Sequence, residues 1–144
     1  MKSNAPKEFY NRKARFDYNI ESDLEAGVVL TGEEIKAVRA GKINLTGSYV
    51  RFLSSEPFWV GGNISVASDE KDRSRKLLLT KIETKRLLSE VEQKKVSIVP
   101  LKAYFKKGRL KILIGVGKGK KKFDKREDLK NRDLERELKR KTKI

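Results

Sequence analysis

The stretch VSIVPLKAYFKKGRLKILIGVG, from Val96 to Gly117, carries the clearest information on the fold. Val96 to Phe105 is strand-like, and Lys106-Lys107-Gly108 has the composition of a tight turn. Beyond the turn, apolar residues occupy every second position: Leu110, Ile112, Ile114 and Val116. Because successive side chains of a strand point to opposite faces, this alternation indicates a strand that buries one face. The stretch predicts two antiparallel strands joined by a short turn.

The preceding part of the chain alternates strand and helix signals. Tyr18 to Leu30 is predicted to be extended, and Leu45 to Leu53 and Phe58 to Val66 are predicted to be strands. Thr31 and Thr80 each stand three residues before a glutamate, so that each predicts a helix start with a capping box. Five or six strands with inserted helices predict a mainly β fold. We expect an oligonucleotide-binding-like antiparallel barrel with two to three helices, because closing a sheet removes its edges.

Composition restricts the kind of function. The chain has 144 residues, of which 37% are apolar and 39% charged, and its formal net charge is +16. So large a positive charge on a single small domain favours an extended polyanion as partner: RNA, DNA or an anionic membrane. The sequence contains no cysteine and no histidine, so it lacks a thiolate nucleophile and the commonest general base and metal ligand. We therefore expect no catalytic residue, no metal site and no cofactor.

No segment has the character of a leader or a membrane span. The N-terminal residues lack the apolar stretch of a signal peptide. The longest uncharged run, Pro57 to Ser68, is much shorter than the roughly 20 residues that cross a bilayer. We expect a soluble, cytoplasmic monomer that does not bind membranes.

The positive charge is concentrated at the two ends of the chain. Residues 1–15 have a net charge of +4 and residues 118–144 one of +7, whereas residues 16–117 have only +5. We therefore expect a basic N-terminal arm (1–15), a barrel domain (16–117) and a basic tail (118–144). The tail has acid–base pairs at helical spacing but too few apolar residues to bury a face. It is expected to be disordered when free and helical on a polyanion.

Two motifs have alternative interpretations that involve chemistry. The glycine-rich run GVGKGK (115–120) suggests a phosphate loop, but it lacks the first glycine and the final hydroxyl of a Walker motif. Glu21, Asp23 and Glu25 alternate, so they would share one face of a strand. They fit either a metal site or a solvated face with local ion pairs, and the solvated face is the more common arrangement.

Two basic segments have the composition of RNA-binding surfaces. NRKARFDY (11–18) places three cations beside two aromatic residues, a combination that suits phosphates and unstacked bases. RSRKLLL (73–79) places a second basic patch before an apolar anchor. Phe16 and Tyr18 fit a hydrophobic core equally well, and the second segment equally fits a charged loop before a helix.

Five separated blocks resemble the small protein B (SmpB) family, the tmRNA-binding proteins of bacterial trans-translation. The blocks follow the family's order and spacing and cover most of the chain: NRKARFDY (11–18), EAGVVLTGEEIKAVRAGKINL (25–45), SYV (48–50), RKLLL (75–79) and IGVGKGKKKFDKRED (114–128). The resemblance implies an oligonucleotide-binding-like barrel that binds the tRNA-like domain of tmRNA. It implies delivery of this RNA to ribosomes stalled on mRNA that lacks a stop codon.

The resemblance also implies the partners. On the ribosome, the protein would stand at the small-subunit decoding centre with its tail as a helix in the empty mRNA channel. Alanyl-tRNA synthetase and elongation factor Tu would meet it only through tmRNA, and the protein itself would catalyse no covalent step.

Carried over by position, the resemblance names the residues that contact RNA. Asn11, Glu25, Leu78 and Lys111 match family positions that hold tmRNA, and further cations are expected to support them: Arg12, Lys13, Arg15, Lys36, Arg39, Arg75 and Lys76. The expected ribosome contacts are Phe16 and the tail residues Lys118, Lys120, Lys121, Lys122, Phe123, Asp124, Lys125 and Arg126. Phe16 and Phe123 stand where the family usually has histidine. Phenylalanine keeps the stacking face and loses the titratable proton, which favours a stacking role.

Two other functions stay open on the sequence alone. One is a general RNA-binding or ribosomal protein with no preference for tmRNA. The other is a small RNA-modifying enzyme, which the absence of histidine and cysteine disfavours.

Overall fold

The computed structural model describes residues 8–67, 70–120, 126, 129 and 130. In these residues the chain forms nine strands and three helices. The strands are β1 (Glu8–Tyr10), β2 (Tyr18–Val28), β3 (Ile43–Asn44), β4 (Tyr49–Leu53), β5 (Glu56–Val60), β6 (Asn63–Ile64), β7 (Arg75–Leu78), β8 (Ser97–Lys106) and β9 (Arg109–Gly119). The helices are α1 (Arg12–Asp17), α2 (Gly32–Arg39) and α3 (Lys81–Lys94).

Strands β8 and β9 form an antiparallel hairpin, which confirms the prediction from the sequence. Its turn residues Lys107 and Gly108 have φ values of 52° and 77°, and two left-handed residues match the twist of the flanking strands. The alternating apolar residues of β9 are all buried in the core. The period-two pattern therefore marks the inner face of the sheet correctly.

Seven strands form one antiparallel sheet in the order β1-β8-β9-β2-β7-β5-β4, and β3 pairs separately with β6. Fully buried side chains on the inner face form the core, with Trp59 as the largest of them. Gly62 is required beside this indole, because a Cβ at residue 62 would lie 1.9 Å from Cζ2 of Trp59.

Both predicted capping boxes are present. The hydroxyls of Thr31 and Thr80 accept hydrogen bonds from the N–H groups of Glu34 and Glu83. The two glutamates in turn accept from the threonine N–H groups, so α2 and α3 begin where the sequence places them. Helix α1 was not predicted, and it is capped by the Oδ1 of Asn11, which accepts from the Ala14 N–H at 3.3 Å.

The sheet curls towards a barrel, but its edge strands β1 and β4 are not hydrogen-bonded to each other in the described residues. Strand β4 lies near β8, and a cleft of about 660 Å³ between them is also lined by α1 and α3. On β8, the Leu101 carbonyl accepts from the Asn11 N–H at 2.9 Å and the Pro100 carbonyl from the Asn11 side chain at 2.8 Å. Pro100 has no N–H to donate. This part of β8 therefore has few groups left for pairing with β4.

The two strands predicted around residues 45–66 differ from the observed ones beside a glycine. The predicted strand Leu45–Leu53 begins only at Tyr49, after a turn with Gly47 (φ 79°), and the predicted strand Phe58–Val66 is divided by Gly61 (φ 80°) into β5 and β6. Ser54 and Ser55 have positive φ values and form the turn between β4 and β5. Glu56 and Pro57, which the prediction left between the two strands, belong to β5 instead.

The folded region extends beyond residues 16–117 at both ends. Strand β1 pairs with β8, and Ala14 of α1 packs on Val99 and Leu101, so residues 8–15 of the expected arm lie within the fold. Strand β9 continues to Gly119, and the Lys120 N–H donates to the Asp17 carbonyl at 2.8 Å. Most of the expected tail lies outside the described residues. Beyond residue 120, the structure describes residues 126, 129 and 130, which are helical.

Candidate RNA interface

The outer face of the sheet carries a row of residues that crosses five strands. Cross-strand partners place these residues side by side: Leu78, Gly27, Lys111, Tyr104 and Glu8. Their neighbours along the same strands point inward and are buried in the core: Leu77, Ala26, Ile112 and Ala103. Leu78 is nevertheless 54% exposed. The alternation of the strands thus leaves a large, accessible apolar side chain on the outer face.

Glu25 lies on the same face of β2, two residues before Gly27. Two neighbouring side chains orient its carboxylate. The Tyr104 hydroxyl donates to Oε2 of Glu25, and Nζ of Lys106 lies 3.6 Å from Oε1. The hydrogen bond from Tyr104 holds the pKa of Glu25 below its ordinary value, with help from Lys106 and Lys111. Burial, together with the Glu25 carboxylate, raises the pKa of Tyr104 to about 12. Glu25 is therefore an oriented carboxylate at neutral pH, and Tyr104 keeps its proton.

Leu78 and Lys111 lie side by side over Gly27. A Cβ at residue 27 would lie 3.3 Å from the Leu78 Cβ and 3.6 Å from the Lys111 Nζ. The missing side chain lets these two residues approach each other beside Glu25. The surface then offers an apolar contact, a cation for phosphate and a hydrogen-bond acceptor, which together suit a folded RNA.

Several residues of this face were not predicted from the sequence. Lys102, Tyr104 and Lys106 occupy alternate positions of β8, and the Lys102 Nζ lies 5.3 Å from the centre of the Tyr104 ring. Tyr10 of β1 is 60% exposed and pairs with Lys102. The alternation along β8 was available as a signal. The register that brings β8 beside Glu25 and Lys111 was not.

Two residues expected to contact RNA are buried instead. Nδ2 of Asn11 donates to the carbonyl oxygens of Leu45 at 3.2 Å and Pro100 at 2.8 Å. Arg75 is 0% exposed, and its guanidinium lies 5.2 Å from the Trp59 ring. It donates to Glu34 at 2.5 Å and to backbone carbonyl oxygens of Gly62, Lys71 and Arg73. The structure therefore gives Asn11 and Arg75 the role of positioning α1 and β7, not of presenting side chains to RNA.

Glu34 links α2 to β7 inside the protein. Its carboxylate accepts from Arg75, Arg73 and the Thr31 N–H. Burial raises the pKa of Glu34, but these hydrogen bonds and the nearby charge of Arg75 outweigh it and bring the pKa below the ordinary value. The ionised glutamate therefore holds the helix that carries Lys36 against the strand that carries Lys76.

The remaining expected cations of the body are on the surface. Lys36 is exposed, Arg39 lies with its guanidinium 5.6 Å from the centre of the Phe105 ring, and Lys76 forms an ion pair with Glu56 at 3.3 Å. Lys76 points outward from β7 and therefore lies on the outer face. Arg39 does not, because Phe105 packs against the core on the other face of β8.

A second basic surface forms around α1. Arg12, Lys13 and Arg15 are exposed, and Phe16 is half-buried. Lys118 is exposed at the end of β9, and the Lys120 Nζ donates to the Arg15 carbonyl at 3.3 Å. The start of the tail is thus attached to α1. Five expected ribosome contacts lie outside the described residues: Lys121, Lys122, Phe123, Asp124 and Lys125; Arg126 is described, helical and exposed.

The acidic residues of β2 do not share one regular face. A register shift between Ile20 and Ser22 places Glu21 in a bulge. Across the described ranges, no group of three or more acidic residues is arranged to hold a metal ion. Nor does that part of the chain contain a helix long and apolar enough to span a membrane.

Comparison with known proteins places the chain in a family. A family model described as SmpB protein matches residues 8–144. The chain belongs to the SmpB family. An SsrA-binding protein of Acetivibrio thermocellus is 46% identical over 139 residues, which cover 92% of this chain and 90% of that protein. An SsrA-binding protein of Shouchella clausii (strain KSM-K16) is 49% identical over 136 residues, with 90% and 87% covered.

A solved structure supports the SmpB assignment at the level of the fold. It is described as "tmRNA-SmpB: a journey to the center of the bacterial ribosome" and superposes with a TM-score of 0.67 at 42% identity. The match covers 86% of this chain and 94% of that chain. The expected mainly β fold of oligonucleotide-binding type with two to three helices is confirmed, but in the described residues the sheet is not closed into the expected barrel.

Proposed function

We propose that this chain is an RNA-binding ribosome-rescue factor that holds the tRNA-like domain of tmRNA on the outer face of its sheet. The relatives named SsrA-binding proteins and the tmRNA–SmpB structure support the choice of RNA. The observation that carries the proposal is the convergence of Leu78, Lys111 and Glu25 from three strands at one point. Three chemically different contacts at a fixed geometry suit one folded RNA better than a general polyanion.

The charge distribution supports two separate RNA contacts. Residues 16–117 have a net charge of only +5, so binding there depends on shape and on a few placed groups. Residues 118–144 have a net charge of +7, which suits sequence-independent contact with many phosphates.

The dense positive charge of the tail supports a proposed role on the ribosome, in contact with the phosphates of ribosomal RNA. The bound tmRNA is delivered to ribosomes stalled on mRNA that lacks a stop codon, with Phe16 and the α1 surface at the decoding centre. The tail lies as a helix in the empty mRNA channel, where its 27 residues would extend about 40 Å at about 1.5 Å per residue. Alanyl-tRNA synthetase and elongation factor Tu act on the same RNA and meet the protein only through it. The protein works in the cytoplasm as a monomer and catalyses no covalent step.

Lys111→Gln tests the outer face directly. We expect weaker binding to a transcript of the tRNA-like domain, because the variant loses a phosphate contact. The plot of the logarithm of the association constant against the logarithm of salt concentration has a negative slope, and its magnitude should decrease by about 0.7 to 0.9. The measurement is fluorescence anisotropy over about 50 to 300 mM KCl, a range in which such slopes are resolved.

Lys94→Gln is the matched control, since Lys94 is exposed at the far end of α3 and the variant has the same net charge. Its slope should equal that of the unaltered chain. An unchanged slope in Lys111→Gln, or equal loss in both variants, would contradict binding at the outer face.

A further inference from the structure

A groove beside the outer face shares Leu78 with the contacts described so far, while its lysines on α3 are not used by them. It lies between β7 and α3, has a volume of about 540 Å³, and is lined by Lys76, Leu78, Lys81, Lys85 and Leu88 among others. Three lysines and a single carboxylate, Glu56, line it in the described part of the chain. Because Glu56 pairs with Lys76, the groove keeps a positive charge contributed by Lys81 and Lys85.

Lys81 and Lys85 are unfavourably placed for the stability of α3. Lys81 is the first residue of the helix, and a cation there opposes the positive end of the helix dipole. Lys85 follows at i+4, where like charges repel. Glu83, the acidic residue of the first turn, uses its carboxylate in the capping box. The salt bridges of the described residues do not include either lysine, so an anionic ligand would relieve a cost that the fold alone does not offset.

The groove is continuous with the outer face. Leu78 and Lys76 line the groove and are also the outward-facing residues of β7. Ile82, in the same turn of α3 as Lys81, is 81% exposed. An RNA strand that runs from Lys111 across Leu78 therefore reaches a surface of cations and apolar side chains. This surface suits the phosphates and sugars of RNA.

We propose that this groove binds the sugar–phosphate backbone of the same RNA that the outer face holds, with Lys81 and Lys85 contacting phosphates and Leu78 packing against a sugar or base. This inference rests on the proposed function, because it assigns the groove to the RNA bound at Lys111. It extends the interface from the sheet onto the first two turns of α3.

The test compares two double variants of equal net charge in the full-length chain: Lys81→Gln with Lys85→Gln, and Lys94→Gln with Lys95→Gln. The probe is the transcript of the tRNA-like domain, and the readouts are the salt slope, hydroxyl-radical footprints on the RNA and thermal unfolding. For the groove variant we expect a slope lower by about 1.4 to 1.8, from two lost phosphate contacts. Its lost protections should differ from those lost in Lys111→Gln. Its melting temperature should not fall, because the helix loses unfavourable charges.

The possible outcomes separate this inference from the proposed function. If Lys111→Gln lowers the slope and the groove variant does not, the inference is overturned while the outer face stands, and a protein partner becomes the occupant to seek. Equal losses in both double variants show an effect of overall charge and also overturn it. If none of the variants, Lys111→Gln included, changes the slope, the proposed function fails together with the inference.

Discussion

At the residue scale, the hydrogen bond from Tyr104 to Glu25 can be tested by the titration of the Glu25 carboxyl group. Tyr104→Phe removes the hydroxyl that donates to Glu25 and keeps the ring beside Lys102. We expect the pKa of Glu25 to rise towards its ordinary value of 4.5, since this hydrogen bond is the largest cause of the lowering. Carboxyl ¹³C shifts followed by NMR across acidic pH measure the change.

Tyr10→Phe is the control for this titration, because Tyr10 lies on the same face and donates to Glu8 instead. It should leave the titration of Glu25 unchanged. If Tyr104→Phe also leaves it unchanged, the lysines alone orient the carboxylate and Tyr104 is not a positioning residue.

Residue types alone did not separate surface contacts from buried organisers. Arg75 stands between two other cations, Arg73 and Lys76, in RSRK (73–76) and has the surroundings of a phosphate contact, yet it is buried on Trp59. Asn11 lies in a basic segment but spends its side chain on capping α1 and on two strand carbonyls. Both roles depend on partners far away in sequence, which no local pattern contains.

At the level of secondary-structure elements, the end of β9 decides where the tail can be removed. A chain that ends after Lys120 keeps all pairs of β9 with β2 and the bond from the Lys120 N–H to Asp17. We predict that this chain binds the tRNA-like domain as the full chain does, and that it fails to support peptide tagging on stalled ribosomes. Anisotropy measures the binding, and a reconstituted translation assay on mRNA without a stop codon measures the tagging.

A chain that ends after Gly117 is the comparison for this truncation. It loses the pairs of Lys118 and Gly119 and the hydrogen bonds from Lys120 to α1, so its melting temperature should be lower than that of the chain ending at Lys120. Equal loss of binding and tagging in the chain that ends after Lys120 would mean that the tail itself binds tmRNA.

Elements defined by local chemistry were predictable, and those defined by tertiary contacts were not. The β8–β9 hairpin and the capping boxes of α2 and α3 follow from residues within a few positions of one another. Helix α1 has six residues and one buried side chain, Ala14, so its sequence has no apolar stripe. It forms because Asn11 caps it and because Ala14 packs against β8.

For the molecule as a whole, the buried contact of Glu34 with Arg75 controls stability. Since the folded-state pKa of Glu34 is lower than its unfolded value near 4.5, its contribution is complete above that pH and is lost as pH falls through the folded-state value. Glu34→Gln leaves Arg75 buried without its counter-charge and should cost about 3 to 5 kcal/mol. Urea unfolding at neutral and acidic pH measures both effects.

Arg73→Gln is the control for the buried pair, because the Arg73 side chain is 30% exposed and can be replaced by water at its end of the carboxylate. It should cost less than Glu34→Gln, because Arg75 keeps its counter-charge, and it should weaken the acid sensitivity, because the hydrogen bond from Arg73 is the largest of the contributions that lower the pKa of Glu34. A Glu34→Gln variant with unchanged stability and unchanged acid response would contradict this account of the core.

The candidate interface is a property of the whole sheet. Glu25, Leu78 and Lys111 were named by family resemblance, but their convergence depends on β2 lying between β7 and β9. That strand order joins residues more than 80 positions apart, and neither charge runs nor periodicity contain it. The same limit applies to barrel closure, because no local pattern shows that the edge strands β1 and β4 are not hydrogen-bonded to each other in the described residues.

The central claim is that the outer face selects tmRNA over other RNA. The most direct measurement is to purify the tagged chain from its own host, sequence the RNA that comes with it, and compare each RNA with its share of total cellular RNA. We predict strong enrichment of tmRNA, reduced in Lys111→Gln and kept in Lys94→Gln. Mixed ribosomal RNA fragments without enrichment of tmRNA would contradict the claim and would indicate a general RNA-binding protein.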